Sequence, residues 1–99
     1  MLSINKIEDE TSWTIKLIGE VDIYTVDNLK KAMEEVMNKK TKDVILDFER
    51  LEYIDSTGLG ALISMKGKYE DISLHLINLK SNVKKLFDMT GLTKIFLVK

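Results

Sequence analysis

The chain has 99 residues, of which 44% are hydrophobic and 31% charged, and this composition is typical of one soluble globular domain with a single core. Fifteen basic and 16 acidic side chains give a net charge of −1, which speaks against the basic surface of a nucleic-acid-binding protein. The absence of cysteine excludes disulfides, iron–sulfur clusters, thiol catalysis and any zinc site that needs sulfur within the chain, and the single histidine excludes a multi-histidine metal site.

The first twenty residues predict two β-strands. Apolar and polar residues alternate imperfectly over residues 2–7 and regularly over residues 13–17, where the pattern stops at Gly19. Because the polar segment 8–12 between them is typical of a hairpin turn, we expect two antiparallel neighbours.

From Thr25 onwards the spacing of apolar residues changes to that of an amphipathic helix. Thr25 is the expected N-cap, and Lys39 and Lys40 suit the negative C-terminal end. The residues predicted to form the buried stripe are Val26, Leu29, Ala32, Met33, Val36 and Met37.

The rest of the chain alternates strand and helix patterns. One continuous apolar run predicts a strand that is buried on both faces. Ser81 is the expected cap of a short last helix, and Gly91 is its expected left-handed end. The predicted segments are, in order, strand 43–48, a helix containing Leu59, Leu62, Ile63 and Lys66, strand 72–77, a helix from Ser81, and strand 94–98.

The resulting order is β-β-α-β-α-β-α-β. It predicts the α/β class, with a mixed central β-sheet of about five strands flanked by α-helices, in a single domain spanning residues 1–99. No apolar run approaches the about 20 residues of a membrane helix, and no secretory signal is visible. The expected location is therefore the cytoplasm, without membrane contact.

Asp55, Ser56, Thr57 and Gly58 follow a predicted strand and directly precede a helix. In a purely structural interpretation Asp55 or Ser56 caps the helix, and the glycines at positions 58 and 60 let it approach the sheet. In a functional interpretation the free amides and the positive dipole end bind an anion, or a hydroxyl there accepts a phosphate carrying about −1.5 to −2 charges. The local sequence leaves both interpretations open.

Enzyme motifs are weak or absent. The glycine that a nucleophile elbow requires two residues before the serine is replaced by Ile54, and the third glycine of a dinucleotide fingerprint is replaced by Ile63. A minimal serine hydrolase that uses Ser56 and His75 remains as a rival hypothesis. We expect no enzymatic activity, no cofactor and no bound metal.

Three segments together resemble the anti-sigma factor antagonist family, whose members are single STAS domains of bacteria. They are GEVD at residues 19–22, YIDSTGLG at residues 53–60 and VKKLFDMTGL at residues 83–92. The resemblance extends from about Leu2 to Lys99.

This resemblance implies a phosphorylation switch that regulates transcription. The unmodified protein is expected to bind an anti-sigma factor that is also a serine kinase, and so to release the sigma factor. The kinase would phosphorylate Ser56, and a PP2C-type phosphatase would reverse the modification. The resemblance places partner docking at Asp22, Asp55, Thr57, Gly58 and Leu59.

Two features depart from the family pattern. The connection at residues 68–71 is short and lacks the glycines common there, and the chain stops after the last predicted strand, where many members continue into another helix. Either the partner surface near that helix differs, or self-association covers the corresponding face. The alternative function is a constitutive STAS scaffold, or a module that senses a small anion or nucleotide at the same helix end.

Overall fold

The computed structural model describes residues 1–39 and 43–99, and these form one five-stranded sheet with three α-helices. The predicted order of elements and the mixed α/β sheet are confirmed. The elements are β1 (Leu2–Glu8), β2 (Ser12–Val21), α1 (Val26–Met37), β3 (Asp43–Ile54), α2 (Ser56–Lys68), β4 (Ser73–Ile77), α3 (Ser81–Met89), a 3-10 turn (Leu92–Lys94) and β5 (Leu97–Val98).

The strands lie in the sheet in the same order as in the sequence. β1 pairs with β2 in antiparallel fashion, as the hairpin pattern predicts, and β2 to β5 pair with one another in parallel. A helix connects β2 to β3 and another connects β3 to β4, as parallel pairing requires. In the described residues no helix is long and apolar enough to cross a membrane.

The helices cover one face of the sheet. Side chains that point to this face, such as Ile15, Leu46 and Leu76, are fully buried, whereas their neighbours Lys16 and Ile45 on the other face are partly or largely exposed. The expectation that β3 is buried on both faces holds only in part: on the face away from the helices Asp47 is 8% exposed, but Ile45 is partly exposed because only one layer of helices packs on the sheet. Three phenylalanine rings, one of them from α3, pack in the core through edge-to-face contacts: Phe48, Phe87 and Phe96.

Helix α1 forms where the apolar spacing predicts it, and all six residues of the predicted stripe are buried. Thr25 occupies the N-cap position, but its side chain does not cap the helix. Its hydroxyl donates instead to the Glu20 carbonyl at 2.9 Å and accepts from the Asp22 amide at 3.0 Å. The basic end predicted for this helix is described as far as Lys39, and Lys40 lies outside the described residues.

Two strands are longer than their sequence patterns predict. β2 does not end at Gly19 but continues to Val21, and β3 continues past residue 48 to Ile54. The pairing of β2 with β3 shifts register at two irregularities along this extension. Such irregularities break the period-two pattern on which the prediction depends.

The C-terminal part differs from its pattern in two details and agrees with it in a third. Ser81 is the first residue of α3, not its cap, and Lys80 holds the cap position. Gly91 has the predicted left-handed conformation, with φ of +77°. The last strand contains only Leu97–Val98, since residues 92–94 form a 3-10 turn. In α2, Ile63 lies outside the core with 45% of its surface exposed, whereas Leu59 and Leu62 of the same helix are buried.

Candidate functional site

The candidate site lies where the parallel strands β2 and β3 end side by side. Val21 and Ile54 are paired at these ends, and the Asp55 amide donates to the Val21 carbonyl at 3.1 Å. Asp22 and Asp55 directly follow the two strands, so the sheet brings together residues that are 33 positions apart. We call residues 22–24 and 53–57 the C-terminal edge; in α/β proteins this end of a parallel sheet commonly carries the binding site.

Asp55 caps helix α2, and it is one of the two residues that the structural interpretation names as the cap. Its Oδ1 atom accepts the amides of Thr57 at 3.0 Å and Gly58 at 3.1 Å, and it also accepts the Thr57 hydroxyl. The Thr57 hydroxyl is the main cause that lowers the pKa of the Asp55 carboxyl, and the two amides lower it further. Asp55 is therefore held as a carboxylate in a fixed position.

The cap occupies the anion site that the helix end would otherwise offer. The amides of Thr57 and Gly58 donate to the Asp55 side chain, and the Leu59 amide donates to the Asp55 carbonyl at 3.0 Å. Within the described part of the chain, the Ser56 amide is the one amide of this first turn without a partner. Of the free amides on which the anion-binding interpretation depends, only that of Ser56 remains among the described residues, which favours the structural interpretation of this helix end.

Ser56 is exposed at the first position of α2. Among residues 1–39 and 43–99, no group forms a hydrogen bond with its hydroxyl. An exposed hydroxyl with no internal hydrogen bond can be reached by a second protein without breaking any contact within the fold.

Asp22 has the same local role at the end of β2. Its Oδ1 atom accepts the amides of Tyr24 at 2.9 Å and Thr25 at 3.1 Å, which fixes the turn that leads into α1. Asp22 is half-buried, so part of its carboxylate still reaches the surface. Two carboxylates therefore border the same edge of the sheet, each held by backbone amides.

Gly58 and Leu59 lie below the surface. Leu59 is only 6% exposed and belongs to the core, so its side chain is not available to a docking partner. A Cβ atom on Gly58 would lie 2.6 Å from Ile54 Cγ1 and 2.7 Å from Val21 Cγ1. The close approach predicted for Gly58 is present. For Gly60 it is wrong, because a Cβ atom added there would have no atom of the described residues within 4 Å.

Three exposed apolar side chains surround the site and were not singled out from the sequence. Tyr24 is 89% exposed, Ile23 66% and Tyr53 50%. For Ile23 and Tyr24 the sequence does contain a signal, because they are two apolar residues between Asp22 and Thr25, in a polar turn and outside the buried stripe of α1. Aromatic side chains in such positions are enriched in protein–protein interfaces.

His75 is too far away to act with Ser56. It pairs with Ile45 near the start of β3, and its Nε2 lies 3.4 Å from Asp43 Oδ1, whereas Ser56 follows the other end of that strand. The nine residues of β3 from Ile45 to Ile54, at roughly 3.3 Å per residue, separate the two positions by about 30 Å, which rules out the serine hydrolase. His75 is the half-exposed strand residue that its pattern predicts. Among residues 1–39 and 43–99, no group of three or more His, Cys, Asp or Glu side chains could hold a metal.

Comparison with known proteins extends these observations. Residues 3–99 match the family described as STAS domain. An anti-sigma-B factor antagonist from Staphylococcus epidermidis is 32% identical over 93 residues, which cover 92% of this chain and 86% of that protein.

Two solved structures share the fold. An anti-sigma factor antagonist from Mycobacterium paratuberculosis has a TM-score of 0.91 at 19% identity, over 99% of this chain and 85% of that one. The Bacillus cell fate determinant SpoIIAA in its phosphorylated form has a TM-score of 0.71 at 22% identity, over 100% and 91% of the two chains. Because the family match spans nearly the whole sequence, this chain belongs to the STAS domain family, and its relatives are anti-sigma factor antagonists.

Proposed function

We propose that this chain is a single STAS domain, residues 1–99, that acts in the cytoplasm as an anti-sigma factor antagonist. In this proposal the unmodified C-terminal edge binds an anti-sigma factor with serine kinase activity, and phosphorylation of Ser56 ends the binding. The observation that carries the proposal is the Ser56 hydroxyl, which is exposed and lies at the same end of the parallel strands as two carboxylates that the fold holds in place. The naming of the Staphylococcus relative as an anti-sigma-B factor antagonist supports the choice of partner.

The docking surface combines apolar and acidic groups. Ile23, Tyr24 and Tyr53 offer apolar area, and Asp22 and Asp55 offer negative charge. A partner that fits this surface presents an apolar patch bordered by cationic or N–H groups. Thr57 completes the surface, while Gly58 and Leu59 support it from below.

Phosphoryl transfer needs little chemistry from this chain. The Ser56 oxygen forms a bond to the γ-phosphorus of Mg²⁺-bound ATP, and the bond between that phosphorus and the β–γ bridging oxygen breaks. ADP leaves with the bonding electrons, and the serine proton passes to a base of the kinase. The kinase supplies ATP, metal and base, so the chain needs only to present the hydroxyl, as a regulatory binding protein would. A PP2C-type phosphatase would hydrolyse the ester and restore the serine.

The geometry at α2 explains how one phosphate would prevent docking. The helix end has only the Ser56 amide free to receive it, because the Asp55 carboxylate already holds the next two amides. A phosphate of about −1.5 to −2 charges would therefore add to the negative charge of Asp22 and Asp55 instead of being neutralised. Burying that charge in an interface shaped for a neutral hydroxyl costs binding free energy. The phosphorylated form in which Bacillus SpoIIAA has been solved supports this kind of modification.

The test compares substitutions at Ser56 with a matched control in the same helix. Ser64 is also an exposed serine of α2, about two turns further from the C-terminal edge. We expect Ser56→Ala to bind the purified anti-sigma factor of the same host like the wild type, and Ser56→Asp to bind it at least about tenfold more weakly. Ser64→Asp, which adds the same charge, should bind like the wild type in isothermal titration calorimetry.

The same titrations separate the switch from its alternative. Equal affinity of Ser56→Asp and Ser64→Asp would indicate a constitutive scaffold in place of a switch. Absence of binding by every form, including the wild type, would contradict the anti-sigma factor as partner. Mass spectrometry after incubation with that kinase and Mg²⁺-ATP locates the phosphate, which we expect on Ser56.

A further inference from the structure

The two adjacent hydroxyls in the candidate site, those of Ser56 and Thr57, differ in their hydrogen bonding. The Thr57 hydroxyl donates its proton to Asp55 Oδ1, whereas no hydrogen-bond partner of the Ser56 hydroxyl occurs among residues 1–39 and 43–99. Both side chains are exposed, so accessibility alone does not distinguish them. The hydrogen bond from Thr57 to Asp55 distinguishes the two hydroxyls.

We propose that Thr57 is a positioning residue that selects the phosphorylation site. Its hydroxyl is committed to Asp55, which leaves Ser56 as the hydroxyl of this motif that a kinase can use and holds Asp55 in one orientation for the partner. This inference rests on the proposed function, because it concerns the same modification and the same docking surface.

The proton of an acceptor hydroxyl must reach the base of the kinase while the bond to phosphorus forms. For Ser56 that proton is free. For Thr57 it points at Asp55, and the kinase would have to break a hydrogen bond to a charged group, which lowers the rate about tenfold or more. Thr57 is therefore the poorer acceptor, although it carries the same functional group.

Asp55 could in principle act as a base and activate Thr57, since a nucleophile beside a carboxylate is a common catalytic pair. The contacts of Asp55 argue against this. Its Oδ1 atom already accepts the amides of Thr57 and Gly58, and these bonds together with the Thr57 hydroxyl lower the pKa of the carboxyl. A carboxylate with a lowered pKa is a weaker base, and protonation would weaken the cap of α2.

The two possible phosphorylated products also favour Ser56 over Thr57 as the acceptor. A phosphate on Thr57 would replace the donated hydrogen bond by a dianion next to the Asp55 carboxylate, and so disturb the cap. A phosphate on Ser56 leaves all three bonds to Asp55 in place. The fold therefore tolerates the modification at Ser56 and opposes it at Thr57.

The orientation of Asp55 matters for docking as well. All three donors bind Oδ1, and across residues 1–39 and 43–99 no donor binds Oδ2. The second oxygen thus remains able to accept a hydrogen bond from a cationic or N–H group of the partner. Without the Thr57 hydroxyl, the carboxylate loses one of the three contacts that hold it in this orientation.

The first experiment needs no kinase. The full chain is labelled with ¹³C at aspartate, and the carboxyl resonance of Asp55 is followed by NMR from neutral to acidic pH. We expect Thr57→Val, which keeps the shape of the side chain, to raise the pKa of Asp55, and Thr57→Ser, which keeps the hydroxyl, to restore it. An Asp55 pKa that is the same in Thr57→Val and the wild type would overturn the positioning role.

The second experiment follows the phosphate. Wild type and Ser56→Ala are incubated with the purified anti-sigma factor kinase and Mg²⁺-ATP, and sites are assigned by mass spectrometry. We expect phosphate on Ser56 in the wild type, and on Thr57 of Ser56→Ala at about a tenth of that rate or less. Thr57 modification at the wild-type rate would contradict the site selection. A wild type without phosphate would contradict the proposed function, while the NMR titration would still decide the role of Thr57.

Discussion

Replacement of Gly58 by alanine tests how closely helix α2 rests on the sheet. The added Cβ would lie 2.6 Å from Ile54 Cγ1 and 2.7 Å from Val21 Cγ1, both below any normal contact distance. Ile54 is 1% exposed and Val21 is fully buried, and both are branched at Cβ, so neither side chain can turn away easily. The helix or the strand ends must therefore move.

The size of the effect follows from two opposing contributions. Alanine favours a helix over glycine by about 1 kcal/mol, and overpacking a core by one methyl group costs about 1–3 kcal/mol. Gly60 provides the matched control, because it is an exposed glycine of the same helix and no described atom would contact its Cβ. The propensity contribution is common to both variants, so Gly58→Ala should be about 1–3 kcal/mol less stable than Gly60→Ala.

Urea unfolding followed by far-UV circular dichroism and by the fluorescence of the single tryptophan, Trp13, measures this difference. For a domain of this size 1 kcal/mol corresponds to a shift in Tm of about 4–8 °C, so thermal unfolding resolves the two variants as well. We expect Gly60→Ala to be more stable than the wild type. Equal stability of Gly58→Ala and Gly60→Ala would refute the close approach of α2 to β2 and β3.

Two further predictions concern the first hairpin. Gly19→Ala should lower the free energy of unfolding in urea by at least about 2 kcal/mol, because Gly19 has φ of +114° and an added Cβ would clash with the Met1 carbonyl oxygen. A decrease of about 0.5 kcal/mol or less, as for an ordinary surface substitution, would contradict this. The amides of Thr11 and Ser12 lower the pKa of Asp9, so the unfolded state binds more protons than the folded state at acidic pH. Asp9 therefore stabilises the fold at pH values above the ordinary pKa of aspartate, and this contribution disappears as the pH falls through the lowered pKa. Asp9→Asn should therefore reduce the slope of the urea midpoint against pH in the acidic range. An unchanged slope would be evidence against a stabilising role of the Asp9 carboxylate.

Local patterns were sufficient for most of the secondary structure. The six apolar residues of α1 recur at helical spacing, and the same six are buried, because a helix on one face of a sheet hides one stripe whatever its neighbours are. The strands were harder to delimit. β2 and β3 continue beyond their predicted ends through irregular pairing, and that pairing depends on both strands at once.

The candidate site was predicted in part. The sequence pattern and the family resemblance pointed to Ser56 and to the two carboxylates Asp22 and Asp55, and the structure places all three at one edge of the sheet. The pattern could not distinguish surface residues from buried ones, and Leu59 lies in the core. It also left open whether Asp55 or Ser56 accepts the amides that would otherwise bind an anion, and the structure shows that Asp55 does.

The sequence by itself determined the α/β class, the order of elements, the amphipathic helix and a polar cap at the start of α2, since these follow from local patterns of residues. Only the tertiary structure decided which glycine touches the sheet and which apolar side chains remain exposed. The close approach of Gly58, for example, depends on Val21, which lies far from it in the chain and meets it only when the parallel strands pair and α2 packs on them.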